Sequence, residues 1–190
     1  MKNAIAVAVA ILMGLTPFAI SFAQSDSGSQ TTGVVSSSTE RPAEVGNQPL
    51  KALMDYVNKQ PRLSCLSTAN KEGKPDVAYF GSPRMIDDKT IVMGLGNNRT
   101  FSYLRENPYA VFMIMEPGRT VTDWKGVRLY LKMTGYETSG PKYEAMKAQI
   151  SKGSGEAAAS IIYAFVSFEI NEIRPLADFG QGWEKSISPK

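Results

Sequence analysis

The sequence between Leu63 and Ile173 alternates short strand-forming runs with turn residues, and this pattern limits the possible folds more than any other feature. The segments Leu63–Ala69 and Pro75–Phe80 are separated by NKEGK, in which Gly73 suits a hairpin turn. The same pattern continues in PRMI, Thr90–Leu95, Ala110–Met115, Val127–Glu137 and Ile161–Ile173. Strands joined by short turns pair antiparallel, and closure of the sheet protects its edges. The sequence therefore predicts a mainly β fold, a small antiparallel barrel or sandwich.

Helical spacing occurs only in short segments around these strands. Apolar residues recur at helical spacing from Leu50 to Gln60, and Pro61 ends the run. A second helix is predicted from about Arg99 to Asn107, and a third at Pro141–Lys152, where the proline suits a helix start. The helices are thus expected to be peripheral to the sheet.

Residues 1–49 predict two segments that precede the folded domain. Lys2 is followed by an uncharged apolar run, and Ser21–Ala23 has the small-x-small pattern of a cleavage site, which predicts a secretory signal peptide over residues 1–23. An uncleaved membrane anchor is the alternative. Residues 24–49 contain nine Ser or Thr and no aromatic residue, so we expect a disordered linker. We expect the folded domain at residues 50–176 and a C-terminal tail at 177–190. We also expect export to the bacterial periplasm or the exterior, with no stable membrane insertion after the signal peptide is cleaved.

The composition excludes several classes of function. The chain has no histidine, which removes the usual general base and the commonest metal ligand. Cys65 is the only cysteine, so neither an intrachain disulfide nor a multi-cysteine metal site can form. The formal net charge of +3 is spread along the chain without a basic run, so no nucleic-acid partner is expected. No metal site is predicted.

The segment from Gly94 to Pro108, GLGNNRTFSYLRENP, places anion-binding groups where a buried strand gives way to a helix. The glycines allow the backbone to approach a ligand closely, and the start of the helix presents free N–H groups. Arg99 adds a guanidinium suited to phosphate, beside the donors of two asparagines and Thr100. Asn98 is equally an ordinary helix cap and Arg99 an ordinary surface charge, so the residues alone leave both interpretations open.

Three parts of the sequence resemble the FMN-binding split barrels related to pyridoxamine 5′-phosphate oxidase. They are the strand pairs, the segment xIVxxLGNNRTxxxLRENPxAVFMI, and VRLYLKMTGYE with the helix after it. The resemblance is closest to the small, minimal FMN-binding proteins of that superfamily, and it covers about Leu50 to Ile173. It implies a six-stranded antiparallel split β-barrel of Greek-key type with short flanking helices. It also implies a homodimer that holds FMN at the subunit interface.

The resemblance assigns residues to the flavin phosphate. Four residues of the strand-to-helix turn are expected there: Asn97, Asn98, Arg99 and Thr100. A second basic residue one hairpin upstream, Arg84, is expected to join them, and an arginine that only flanks a turn is the alternative.

The resemblance also assigns residues to the flavin ring. Two strand segments are expected along it: Ala78, Tyr79, Phe80 and Gly81 in one, and Met93 and Gly94 in the next. Because side chains alternate along a strand, only one of Tyr79 and Phe80 can face the flavin. Core filling is the alternative for Met93.

Two aromatic residues outside these strands are possible contacts of the flavin. Trp124 and Lys125 lie in a loop that is expected to reach the flavin of the partner subunit, and a packing or interface anchor is the alternative for Trp124. Trp183 is either a lid over the site or an exposed residue of the tail.

The function implied is that of an exported flavoprotein, an FMN-dependent oxidoreductase or electron carrier in which the flavin performs the redox step. No side chain is assigned as catalytic, and the electron partner, a small molecule or a redox protein, is left open. A binding module for a flavin, the deazaflavin F420 or another phosphorylated ligand is the alternative, and a ligand-free structural dimer is the third. The C-terminal FGQGWEKSISPK lacks the substrate-binding residues of the vitamin B6 oxidase, and the missing histidine removes the ligand that heme-degrading relatives need.

Overall fold

The computed structural model of the protein describes residues 48–188, which form a β-sheet with small helices around it. The predicted signal peptide and nearly all of the predicted linker lie outside the described residues. In chain order the elements are α1 (Gln48–Asn58), β1 (Leu63–Ala69), β2 (Pro75–Tyr79), β3 (Arg84–Met85), β4 (Thr90–Leu95), α2 (Arg99–Glu106), β5 (Tyr109–Glu116), a 3₁₀ turn (Val121–Asp123), β6 (Lys125–Glu137), α3 (Pro141–Ser154), α4 (Glu156–Ser160), β7 (Ala164–Pro175) and α5 (Trp183–Ile187).

The strands form one antiparallel sheet in the order β2-β1-β5-β6-β7-β4-β3. The prediction of a mainly β, antiparallel fold with peripheral helices is confirmed, but the sheet has seven strands instead of six. β2 and β3 are separate strands at opposite edges of the sheet, paired with β1 and β4, and the segment from Phe80 to Pro83 lies between them in the chain. Pro83 has no N–H to donate to a ladder, which favours an interruption at this place.

The segment from Phe80 to Pro83 connects the two edge strands of the sheet, and the side chain of Arg62 packs against it. Arg62 is only 8% exposed, and its guanidinium donates to the backbone carbonyls of Gly81 and Pro83. Ser64 Oγ donates to the carbonyl of Phe80 at 2.5 Å. These carbonyls lie between two strands, so side chains satisfy them where the ladder does not. Two further N–H groups of Arg62, Nε and Nη1, are buried without a hydrogen-bond partner, and burial lowers the pKa of this guanidinium to about 10.

The core lies between the inward faces of the strands and the helices α1 and α2. Alternation along the strands produces it: β4, for example, buries Ile91, Met93 and Leu95 and leaves the residues between them half-buried. Its largest fully buried side chains include Phe101, Phe112, Phe168, Leu53, Leu66, Leu104, Ile114 and Leu129. A second, smaller cluster of Tyr143, Ile162 and Phe165 packs α3 against the end of β7.

The C-terminal residues that the sequence analysis treated as a tail include a helix that packs against the sheet. Trp183 and Ile187 are one helical turn apart in α5 and both contact the core. Ser186 Oγ donates to the carbonyl of Gly126 at 2.6 Å and accepts from the Leu176 N–H at 3.3 Å. The packed part of the chain therefore extends beyond residue 176. Among the residues described, no helix has the length and apolar character needed to cross a membrane.

Candidate functional site

The turn between β4 and α2 forms a capped helix start. Asn98 is the N-cap residue of α2, and its side-chain oxygen accepts from the Phe101 N–H at 3.0 Å. The amide of Asn98 therefore caps the helix, the structural alternative that the sequence left open. Asn97 precedes it and is exposed. With no acidic residue in its first turn, α2 keeps the partial positive charge of its N-terminus available to an anion from elsewhere in the fold.

Asp76 supplies that anion. Thr100 is 2% exposed, and its hydroxyl donates to Asp76 Oδ2 at 3.0 Å. Arg99 Nη1 lies 3.7 Å from Asp76 Oδ1. The two side chains that the sequence assigned to a flavin phosphate are thus both directed to a carboxylate of the same chain.

Thr68 adds a further polar group next to Asp76. The two residues are register partners in the β1–β2 ladder, so their side chains lie on the same face of the sheet. Thr68 is 5% exposed, and its hydroxyl has no hydrogen-bond partner. We call this group of residues the α2 anion site: Thr68, Asp76, Asn98, Arg99 and Thr100.

The α2 anion site fits an anion, because its guanidinium, hydroxyl and helix start all favour negative charge. The Asp76 carboxylate is a stand-in that shows where such an anion contacts Arg99 and Thr100. However, the charges of Asp76 and Arg99 cancel, so a phosphate at this position finds no uncompensated cation unless Asp76 moves. The donors fit a flavin phosphate, whereas the resident carboxylate does not.

The glycines of the turn approach other parts of the chain. A Cβ on Gly94 would lie 3.0 Å from the Ile162 side chain, and one on Gly96 would lie 3.3 Å from the carbonyl of Ile161. The close approach that the sequence assigned to a ligand is therefore made by the segment before β7.

The residues of β2 alternate between the barrel interior and the outer surface. Ala78 and Phe80 are half-buried on the same side as Asp76, and Phe80 packs against the core. Tyr79 points outward, is 63% exposed and donates its hydroxyl to the Arg62 carbonyl at 3.3 Å. Of the two aromatic residues, Phe80 is therefore the core residue and Tyr79 the surface residue. The carbonyl of Gly81 is occupied by the side chains of Gln60 and Arg62.

Met93 and Trp183 both pack against the core. Met93 is fully buried in the core, the alternative to a flavin contact. Trp183 lies in α5 and is half-buried against the core, so it is not an exposed residue of the tail. Among the described residues, no contact places it over the α2 anion site.

Trp124 and Lys125 lie at the opposite end of the sheet from the α2 anion site. Lys125 pairs with Glu116 near Leu63, whereas the anion site adjoins Thr68 at the other end of β1. Five residue positions along β1 correspond to about 17 Å. Within one chain the fold therefore does not bring these residues together.

Arg84 is also separate from the α2 anion site. It is exposed in β3, opposite Val92 in the middle of β4. Its charge is near enough to Arg62 to contribute, after burial, to the lowered pKa of that guanidinium. Arg84 therefore belongs with the junction between β2 and β3.

The outer surface of the neighbouring strands β2, β1 and β5 is largely apolar. One row across the sheet joins Tyr79, Cys65 and Met113 by register and ends at the charged Arg128 on β6, and the next row joins Val77, Ser67, Val111 and Tyr130. We call this surface, with Leu63 and Met115 at its end, the outer apolar face. Val77 and Leu63 are largely exposed, and partial burial raises the pKa of the Cys65 thiol above its ordinary value. Neither Asp76 nor this face was predicted from the sequence.

Comparison with known proteins identifies the fold. No protein-family model matches the sequence, and no curated protein matches it. Among solved structures, the chain is similar to an FMN-binding protein from Syntrophomonas wolfei subsp. wolfei, with 22% identity and a TM-score of 0.59 over 70% of this chain and 89% of that chain. It is also similar to HupZ from Group A Streptococcus (21% identity, TM-score 0.54, 66% and 92% covered) and to HutZ, a heme storage protein from Vibrio cholerae (17%, 0.50, 65% and 92%).

These similarities confirm the split-barrel fold that the sequence resemblance predicted. They extend over most of the length of each solved chain, so the described domain corresponds to the body of those proteins.

Proposed function

We propose that this protein is an exported flavin-binding protein, an oxidoreductase or electron carrier that holds FMN or a related flavin. The observation that carries the proposal is the α2 anion site, in which a capped helix start, Arg99 and Thr100 already hold a carboxylate. A protein of the same fold from Syntrophomonas wolfei binds FMN, which supports a flavin as the ligand. A flavin, once bound, supplies reversible electron transfer.

The residues of this chain would bind and orient the ligand. Arg99 and Thr100 face its polar chain. Asp76 contacts both of these residues and sets which polar groups the site accepts. HutZ stores heme, but we do not extend that role to a chain that contains no histidine.

We further propose that the protein is a homodimer formed through the outer apolar face. Val77, Tyr79 and Leu63 together expose a contiguous apolar surface, which is unusual for a chain that stays monomeric. A twofold pair buries the same face on both copies. Since Trp124 and Lys125 are far from their own α2 anion site, a second copy is the route by which they reach a flavin.

The proposal of export rests on residues 1–23. N-terminal sequencing of the protein recovered from the periplasm or medium tests it, and a chain that begins at Gln24 is expected. Recovery of the protein in the cytoplasm with Met1 retained would contradict export.

Flavin binding is tested by visible absorption and by quenching of FMN fluorescence on addition of the purified protein. We expect close to one flavin per chain. Arg99→Ala leaves the Asp76 carboxylate without its cation and should weaken FMN binding, whereas Arg105→Ala removes the same charge from the last turn of the same helix and should not. A protein that takes up no flavin contradicts the proposal. If the wild type and Arg99→Ala bind FMN equally well, the flavin does not bind at the α2 anion site.

A further inference from the structure

We infer that Asp76 is a specificity-determining residue of the α2 anion site and that it selects against a ligand's phosphate. The wild-type site therefore takes a flavin that carries an uncharged polyol chain, the riboflavin class, at least as readily as FMN. This inference rests on the flavin-binding function proposed above and concerns which flavin the site accepts.

The first argument is the geometry of the carboxylate. Asp76 uses one oxygen for the Thr100 hydroxyl, at 3.0 Å, and the other lies 3.7 Å from the Arg99 guanidinium. The Asp76 side chain is 15% exposed and is fixed on the inward face of β2, while that of Arg99 is 67% exposed. A ligand anion must therefore compete with a fixed carboxylate for both donors.

The second argument is charge. A phosphate monoester carries about −1.5 to −2 at neutral pH, and like charges held close together disfavour each other. The nearest cation, Arg99, is already paired with Asp76. Asp76 therefore repels a bound phosphate. Only the helix start and the exposed guanidinium of Arg99 offset that repulsion.

The third argument is the hydrogen-bonding chemistry of a polyol. A carboxylate only accepts hydrogen bonds, so it complements hydroxyl groups that donate, which an ionised phosphate cannot do. Thr68 provides a buried hydroxyl without a partner on the same face of the sheet as Asp76, and it can both donate and accept. Asp76 and Thr68 together present the acceptor and donor pattern that matches the hydroxyl groups of a sugar-alcohol chain.

The test compares riboflavin, FMN and inorganic phosphate as probes of the purified wild-type protein and of Asp76→Asn, which keeps the shape and removes the charge. Asp88→Asn removes the same charge from the exposed turn between β3 and β4 and is the matched control. Thermal unfolding of each variant establishes that it is folded, and Asp76→Ser is the second variant if the asparagine does not fold.

We expect wild-type dissociation constants for riboflavin and FMN within about threefold of each other. Asp76→Asn should tighten FMN binding by about tenfold or more and leave riboflavin nearly unchanged, the size of effect expected from the removal of one close like charge. Millimolar phosphate should shift the NMR signals of the Arg99 and Thr100 amides in Asp76→Asn and not in the wild type. Asp88→Asn should behave as the wild type.

Three other outcomes have separate meanings. If the wild type prefers FMN by tenfold or more and Asp76→Asn does not raise that preference, the inference fails while flavin binding stands. If no variant binds either flavin but Asp76→Asn gains phosphate binding, the role of Asp76 against phosphate stands and the flavin function fails. If no variant binds any of the three probes, both fail.

Discussion

The hydroxyl of Thr100 donates to the carboxylate of Asp76 at 3.0 Å and so ties the start of helix α2 to strand β2. This bond joins residues far apart in sequence at one end of the barrel. Because Thr100 is buried and Asp76 nearly so, the contact has consequences for stability as well as for ligand choice.

Thr100→Val removes the hydroxyl and keeps the shape of the side chain. We expect a loss of about 1 to 3 kcal/mol in the free energy of unfolding, because a charged acceptor with little access to water loses its neutral donor. Urea unfolding followed by circular dichroism measures it. Thr138→Val, at an exposed position after β6, is the control and should change stability by less than about 0.5 kcal/mol. Equal effects of the two substitutions would contradict the role given to the Thr100 bond.

Arg62→Ala tests the side chain that lies beneath the junction of β2 and β3. The substitution leaves the carbonyl of Pro83 without its donor, removes one of the two donors to the carbonyl of Gly81 and creates a cavity next to Phe112, so we expect a loss of about 2 to 4 kcal/mol. The midpoint of urea unfolding should fall accordingly. Arg119→Ala at an exposed loop position is the matched control, and stability unchanged in both variants would show that Arg62 does not hold the junction.

Met113→Lys tests the proposed dimer. Met113 lies in the outer apolar face between Cys65 and Arg128, and a lysine ammonium there must be desolvated when two copies meet. We expect the wild type to have the mass of a dimer in light scattering after size exclusion, and Met113→Lys that of a monomer. Ile86→Lys places the same charge at an exposed apolar position beside β3 and should leave the dimer intact. A monomeric wild type, or a dimer that survives Met113→Lys, would overturn the assignment.

Trp183→Ala tests whether the C-terminal helix is part of the folded body. Trp183 packs against the core, so truncation should lower the free energy of unfolding by about 1 to 3 kcal/mol. Phe179→Ala removes an aromatic ring that is 72% exposed four positions earlier and should have little effect. Thermal unfolding midpoints of the two variants give the comparison, and a stable Trp183→Ala would mean that α5 contributes little.

The strands and helices could be predicted from the sequence because their signals are local. The predicted and observed bounds agree for β1 at Leu63–Ala69 and for β4 at Thr90–Leu95, where alternation and turn residues coincide. The helix start at Arg99 was likewise predictable, since Asn98 precedes it as a cap.

The role of Asp76 could not be predicted in the same way. It is a single acidic residue inside a strand, and its partners Thr68, Arg99 and Thr100 come to it only through strand pairing and helix packing. An inward position on β2 is the one signal that could have identified it, and this depends on a register that the sequence does not specify.

Helix α5 was missed for a different reason. It has only five residues, too few for a periodic pattern, and its apolar face consists of Trp183 and Ile187. Glycines before it, in FGQGWEK, favour a loop and conceal the short helix that follows.

The junction between β2 and β3 determines where the barrel opens first. No ladder hydrogen bonds join these two edge strands. Side chains hold the segment between them instead: Arg62 and Ser64 donate to its carbonyls, and Asn58 bonds the backbone of Met85 in β3. In native-state hydrogen exchange, the amides of Gly81 and Ser82 should therefore exchange through local fluctuations, well before those of β6, which is paired on both sides. The barrel has a seam that can loosen without global unfolding.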